Sequence, residues 1–260
     1  MENHFKRIVV KVGSNVLTRK DGTLDVTHMS ALVDQIAELH RAGMQVILVS
    51  SGAVASGRGE VHPVQSLDTV AERQLYSAVG QAKLMNRYYD LFRNYGIVVG
   101  QVLTTKENFL DPDHYNNQKS CIEVMLATGV LPIVNENDTV SVTELMFTDN
   151  DELSGLMATM LRAEALLLLS NVDGVYTGAP SDPASQLIRV VEPGKDLSDY
   201  ISAEKSGHGR GGMASKSTIA RRMAEEGIAV FIANGRREDV ITELVKDPEG
   251  ALCTRFIPHR

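Results

Sequence analysis

The chain has no tryptophan and only two cysteines among its 260 residues. Cys121 and Cys253 lie far apart, form no CxxC and have no histidine beside them, which excludes a disulfide framework and a thiolate zinc site; both are expected to be small buried hydrophobes. Basic excess is missing too, with 26 Lys and Arg against 33 Asp and Glu, a net charge of −7 and a pI near 5.5. A broad nucleic-acid-binding face needs clustered cations to displace phosphate counterions, so any phosphate site here must be local. Apolar runs such as Ala163–Leu169 stop well short of the roughly 20 residues of a bilayer span. The N-terminus carries Glu2, Lys6 and Arg7 and does not read as a signal peptide, so a cytosolic protein without a membrane partner is expected. His4, His28, His40, His62, His114, His208 and His259 do not pair at ligand spacing; each is read as a surface or helix residue, and none supports a metal centre.

What is present is globular: 43% hydrophobic and 23% charged residues, with 21 glycines. A chain of this length can bury a large core, and one domain over residues 1–260 is expected. Short runs rich in Val, Ile and Leu alternate with stretches of helical period, the pattern of βαβ crossovers and a parallel sheet. The expected strands are Arg7–Val12, Gln45–Ser50, Ile97–Leu103, Leu131–Asn135, Ala165–Ser170 and Ile228–Ala233, with a last sheet-like run at Ala251–Phe256. Met29, Leu32, Val33, Ile36 and Leu39 fall at helical spacing, in a segment that Thr27 could cap and Gly43 could end. Further helices are expected at Thr69–Tyr95, Asn116–Thr128, Asp151–Arg162, Met213–Glu226 and Asp239–Lys246, and Pro180–Gly212 as an irregular excursion near the site.

Open α/β sheets bind ligands beyond the carboxyl ends of their strands. There the sequence places Gly13-Ser14-Asn15, then Ser50-Ser51-Gly52-Ala53, Asn135-Glu136-Asn137-Asp138 and Ser170-Asn171-Val172-Asp173-Gly174. Small residues let backbone N–H groups approach anionic oxygens next to helix N-termini. Any one of these is an ordinary βα turn; four at one edge make an anion pocket.

The Gly-rich run Ser206–Lys216 matches GxGxxG at Gly207, Gly209 and Gly212, but no apolar strand leads into it, so a dinucleotide fingerprint fails on context. Nor is it a Walker A loop, because Ser215 stands where Gly should precede Lys216. Glycines, a helix start and a lysine still suit a nucleotide's phosphates, with a surface hairpin as the other reading. Lys11 in the apolar strand Ile8–Val12 needs an anionic partner or a route to water. Thr148-Asp149-Asn150-Asp151-Glu152 can be read simply as a helix cap with first-turn acids.

Taken together, Val9–Ser14, Val49–Val54, Val79-Gly80-Gln81, Pro132–Asp138, Asp149–Ser154 and Gly211–Lys216 resemble the amino acid kinase family over essentially the whole chain, and within it the branch that phosphorylates free L-glutamate. The resemblance implies a three-layer αβα sandwich around a mainly parallel open sheet, ATP and Mg²⁺ as cosubstrates, and γ-glutamyl phosphate as product, the first intermediate of proline synthesis. It implies that Lys11 and Lys216 contact the transferring phosphoryl group and that Asp151 holds them. Ser51, Gly52, Ala53, Asn135, Asp138 and Asn150 would bind glutamate. Gly13, Ser14, Ser170, Asn171 and the turn Arg210, Gly211, Gly212, Met213, Ala214, Ser215 would join the two lysines around ATP. No residue is assigned as a metal ligand.

Two positions depart from the family pattern: Ser170-Asn171 replaces a common Thr-Asp, and Arg210 stands where a small hydroxyl residue is usual. Many relatives carry a C-terminal PUA domain, which this chain is expected to lack because it stops shortly after Phe256. The resemblance also implies proline as a feedback inhibitor, a homo-oligomer, and a functional link to a γ-glutamyl phosphate reductase; loops such as Asp111–Gln118 could take part in assembly, but one chain gives no interface. A kinase of another small acid, such as N-acetylglutamate or aspartate, or a non-catalytic sensor on the same scaffold, remains open on sequence alone.

Overall fold

The computed structural model of the chain describes residues 4–141, 147, 149–197, 200 and 212–259. Its strands are β1 (Arg7–Val12), β2 (Gln45–Ser50), β3 (Val99–Thr104), β4 (Leu131–Glu136), β5 (Ala165–Ser170), β6 (Val190–Val191), β7 (Ala229–Asn234) and β8 (Thr254–Phe256). They join in one eight-stranded sheet of order β3-β4-β2-β1-β5-β7-β8-β6. Pairing is parallel from β3 across to β7, β8 runs antiparallel to β7, and β6 is parallel to β8.

Strand alternation divides the core in two. Ile8, Val10 and Val12 face α1 (Ser14–Leu17), α2 (Val26–Arg41), α4 (Thr69–Arg93) and α9 (Val240–Lys246). Val9, Ile47 and Leu166 face α6 (Pro112–Ala127), α7 (Asn150–Met160) and α8 (Met213–Glu225). The result is the expected three-layer αβα sandwich, in which each fully buried Val, Leu or Ile contributes about 1.5–3 kcal/mol of transfer free energy. Lys11 shares the parity of Val9, so the two-residue period aims it at the α7 and α8 layer.

A short helix, α3 (Ala53–Arg58), follows β2 and crosses α4. A Cβ on Gly57 would collide with the Tyr76 carbonyl, and one on Gly80 with the Ala53 carbonyl. Only glycines allow this approach, which fixes the turn before α3. Gly52 in that turn has φ +105°, a backbone conformation natural to glycine. Inside the core the Tyr88 hydroxyl on α4 lies 2.7 Å from Ser50 Oγ at the end of β2, and burial pushes the phenol pKa well up.

Several expectations need correction. Helix α2 starts before Thr27, because the Asp25 carboxylate caps it by accepting from the His28 N–H. The Asp111–Gln118 stretch is no loop: Asp111 caps α6, Pro112 begins it, and the helix starts before Asn116. Cys121 is exposed, because it sits one helical step from the buried stripe of Ile122 and Leu126; only Cys253 is buried. Helices α1, α3 and α5 (Glu107–Leu110) are too short to show a period, and β6 lies inside the Pro180–Gly212 excursion. Strand β3, at the sheet edge, is only partly buried. Among the described residues no helix is long and apolar enough to cross a membrane.

Candidate active site

The four turns at the carboxyl ends of β1, β2, β4 and β5 open into one cleft of about 960 Å³, lined also by Lys11, Gly212, Met213 and Lys216. Asp151 in the first turn of α7 has no exposed surface and stands behind the two lysines, themselves only 4% and 7% exposed. Its Oδ1 faces Lys11 Nζ at 2.7 Å in an ion pair, while Oδ2 accepts from Lys216 Nζ at 2.9 Å. Burial pulls the carboxyl towards its neutral form, but the two ammonium groups outweigh it and hold Asp151 below the ordinary carboxylate range. Burial also lowers the pKa of Lys11, with Lys216 adding to the effect and Asp151 opposing it. Two ammonium groups against the Asp151 carboxylate leave this trio net positive, an excess that the nearby Asp149 carboxylate offsets in part. Gly13 completes this end of the cleft, since a Cβ there would lie 3.3 Å from Lys11 Nζ.

Asp149 links α7 to α8. Its Oδ1 caps α7 by accepting from the N–H groups of Asp151 (2.8 Å) and Glu152 (3.1 Å), and its Oδ2 accepts from Ser215 Oγ at 2.5 Å. Helix α8 starts from Gly212, which has no side chain to cap its first N–H groups. Of the nucleotide turn, Gly212, Met213 and Lys216 line the cleft, whereas Ala214 and Ser215 do not, and Ser215 is turned to Asp149 instead. Arg210 and Gly211 lie outside the described residues.

The other end of the cleft is made of amides and acids. Asn150 Nδ2 donates to Ser51 Oγ (2.8 Å) and Asn135 Oδ1 (3.0 Å), and Asn135 Nδ2 donates to Gln81 Oε1 (3.0 Å). Asp138 and Glu136 both accept from Arg73 Nη2. Ser51, Asn135, Asp138 and Asn150, expected from the sequence, line this one end of the cleft; the sequence reading did not assign Arg73 or Gln81 to the site and did not foresee the bond from Ser215 to Asp149. Arg73 extends the buried α4 stripe of Ser77, Gln81, Leu84 and Tyr88 at helical spacing, the one signal that could have drawn attention to it.

This arrangement can hold a polyanion at the lysine end and a small zwitterion at the amide and acid end. Residues 6–234 match the sequence profile of the amino acid kinase family. A glutamate 5-kinase of Bacteroides thetaiotaomicron is 67% identical over 99% of this chain and 72% of its own length. A glutamate 5-kinase of Symbiobacterium thermophilum is 46% identical, covering 97% of each chain. The crystal structure of a UMP kinase from Bacillus anthracis shares the fold with a TM-score of 0.66 at 15% identity, over 98% of this chain and 97% of that one. With its sheet, its paired lysines and its sequence all in agreement, the chain belongs to the amino acid kinase family, in the branch of the glutamate 5-kinases.

Proposed function

We propose that the protein transfers the γ-phosphoryl group of ATP to the side-chain carboxylate of L-glutamate, giving γ-glutamyl phosphate and ADP in the cytosol as the first step of proline synthesis. The observation that carries this reading is the meeting of Lys11 and Lys216 on Asp151 at the wall of one cleft. The identity with glutamate 5-kinases supports the choice of acceptor.

A γ-carboxylate has an ordinary pKa of about 4.3 and is already ionised at neutral pH, so no general base is required. A carboxylate oxygen attacks the γ-phosphorus, the bond to the β–γ bridging oxygen breaks, and its electron pair leaves with ADP. Repulsion between the two anions is the barrier, and cations fixed along the transfer path offset it. Lys11 and Lys216 supply that charge, and Asp151 holds them so that no reorganisation is needed during transfer. Gly13, Ser14, Ser170, Asn171 and the start of α8 hold the nucleotide, where the N–H groups at the helix start and the helix dipole favour phosphate. Asn135, Asn150 and the Ser51-Gly52-Ala53 turn orient glutamate, and Asp138 takes its α-ammonium.

Among the described residues no three acidic, His or Cys side chains gather to hold a metal ion. The cleft therefore fits Mg²⁺ as an ion carried by the nucleotide's phosphates and water, supplying charge neutralisation there. In the same reading proline, with its ammonium and carboxylate, competes for the Asp138 end. The enzyme works as a homo-oligomer, and a reductase consumes the labile acyl phosphate. ADP release measured with glutamate, aspartate and N-acetylglutamate tests the proposal: turnover with glutamate far above the others is expected, and ADP release independent of glutamate would remove it.

A further inference from the structure

Arg73 has no part in the transfer step, yet it is a cation at the acceptor end of the cleft, in contact with both acids there. Its Nη2 donates to Glu136 Oε2 at 2.7 Å and also to Asp138 Oδ1. The side chain is 20% exposed, against 5% for Glu136 and 9% for Asp138. Ser77 Oγ donates to Asp138 Oδ2 at 3.3 Å, and the Phe147 N–H donates to Glu136 Oε1 at 3.1 Å. Among the described residues, Glu72 and Arg58, 3.8 Å apart, are the other charged residues lining this part of the wall.

Two carboxylates buried side by side do not both stay ionised without a cation, because burial and mutual repulsion favour one shared proton. Burial and Asp138 do raise the Glu136 pKa, and Arg73 opposes them. A protonated pair would hold an ammonium poorly. An ionised Asp138 has about four acceptor sites, enough to keep Arg73 and still accept a substrate ammonium.

We propose that Arg73 is a specificity-determining positioning residue, which bridges Glu136 and Asp138 and holds both carboxylates in place so that the cleft selects the α-ammonium of a free amino acid. The inference rests on the reading of the protein as a kinase of glutamate. The test is calorimetric binding of L-glutamate between about pH 5.5 and 8.5, with ADP release measured in parallel, for wild type, Arg73→Met and Arg73→Lys. Binding reads the site without turnover, so a protein that binds glutamate but releases no ADP fails the kinase reading alone.

Loss of the charge-assisted bonds should weaken glutamate binding about tenfold in Arg73→Met near pH 6. The loss should shrink as pH rises and Glu136 ionises, while ATP affinity stays unchanged. Arg73→Lys, which keeps the charge, should restore a pH profile parallel to that of wild type. Arg73→Gln, with a donor but no charge, replaces Arg73→Met under the same criteria if the latter does not fold. Glutamate binding with wild-type strength and pH profile in the neutral variant would overturn the inference, and so would equal loss of glutamate and ATP binding.

Discussion

Lys11, inside the central strand β1, and Asp151, at the start of α7, form a buried ion pair of 2.7 Å at the wall of the cleft. The pair answers the question posed by a lysine in an apolar strand: its amine reaches an anion in the layer above the sheet. Because the same carboxylate also binds Lys216, losing either amine leaves Asp151 with a single partner.

Lys216→Ala should lower kcat about 10²–10³-fold, the usual loss when one fixed donor to a developing anion is removed. The glutamate KM should change far less. Steady-state kinetics with both substrates varied decides the matter, and an unchanged kcat would take Lys216 out of the mechanism.

The pH dependence follows from Lys11. Its amine has a lowered pKa, so it loses its proton at a lower pH than a solvated lysine, whose value is about 10.4. The contribution of the charged amine to kcat is present below the folded-state pKa and disappears as pH rises through it. A kcat profile should therefore fall on its alkaline side before that ordinary value is reached; a profile flat through it contradicts the assignment.

Asp138→Asn removes the charge proposed to pair with the substrate's α-ammonium. Glutamate KM should rise about 10-fold or more, in line with a lost charge-assisted bond, while ATP KM is unaltered. Discrimination against N-acetylglutamate, which has no ammonium, should narrow. Equal affinity of mutant and wild type for glutamate would refute the specificity argument.

Tyr88→Phe deletes the hydroxyl paired with Ser50 beneath the Ser51 turn. Ser50 Oγ keeps its bond to the Ser51 carbonyl, so the expected loss is only about 1 kcal/mol. A thermal melt should show a Tm drop of about 2–4 °C for a chain of this size. A loss several times larger would mean that the hydroxyl also orders the turn.

Much of this was legible in the residues. Runs such as Val46–Val49 and Leu166–Leu169 are apolar on both faces because both faces are covered, so three strands were located to the residue. Edge strand β3 and the brief β6 were harder, since partial exposure and short length leave little pattern. In the site, the βα turns stood out by composition and by family resemblance. Arg73 and the bond from Ser215 to Asp149 did not, and Gln81 stood out only as part of a family segment and not as a partner of Asn135, because each depends on how two helices or a helix and a strand lie against each other. That relation is set by packing partners distant in sequence, as with Gly80 against Ala53.

The glycine contact between α3 and α4 also limits redesign. With backbone against backbone at Gly57 and Gly80, neither helix can retreat to make room for a bulkier acceptor. A variant meant to phosphorylate a longer diacid would have to gain its space by trimming side chains on the opposite wall, and libraries directed at this crossing should return mostly unfolded clones.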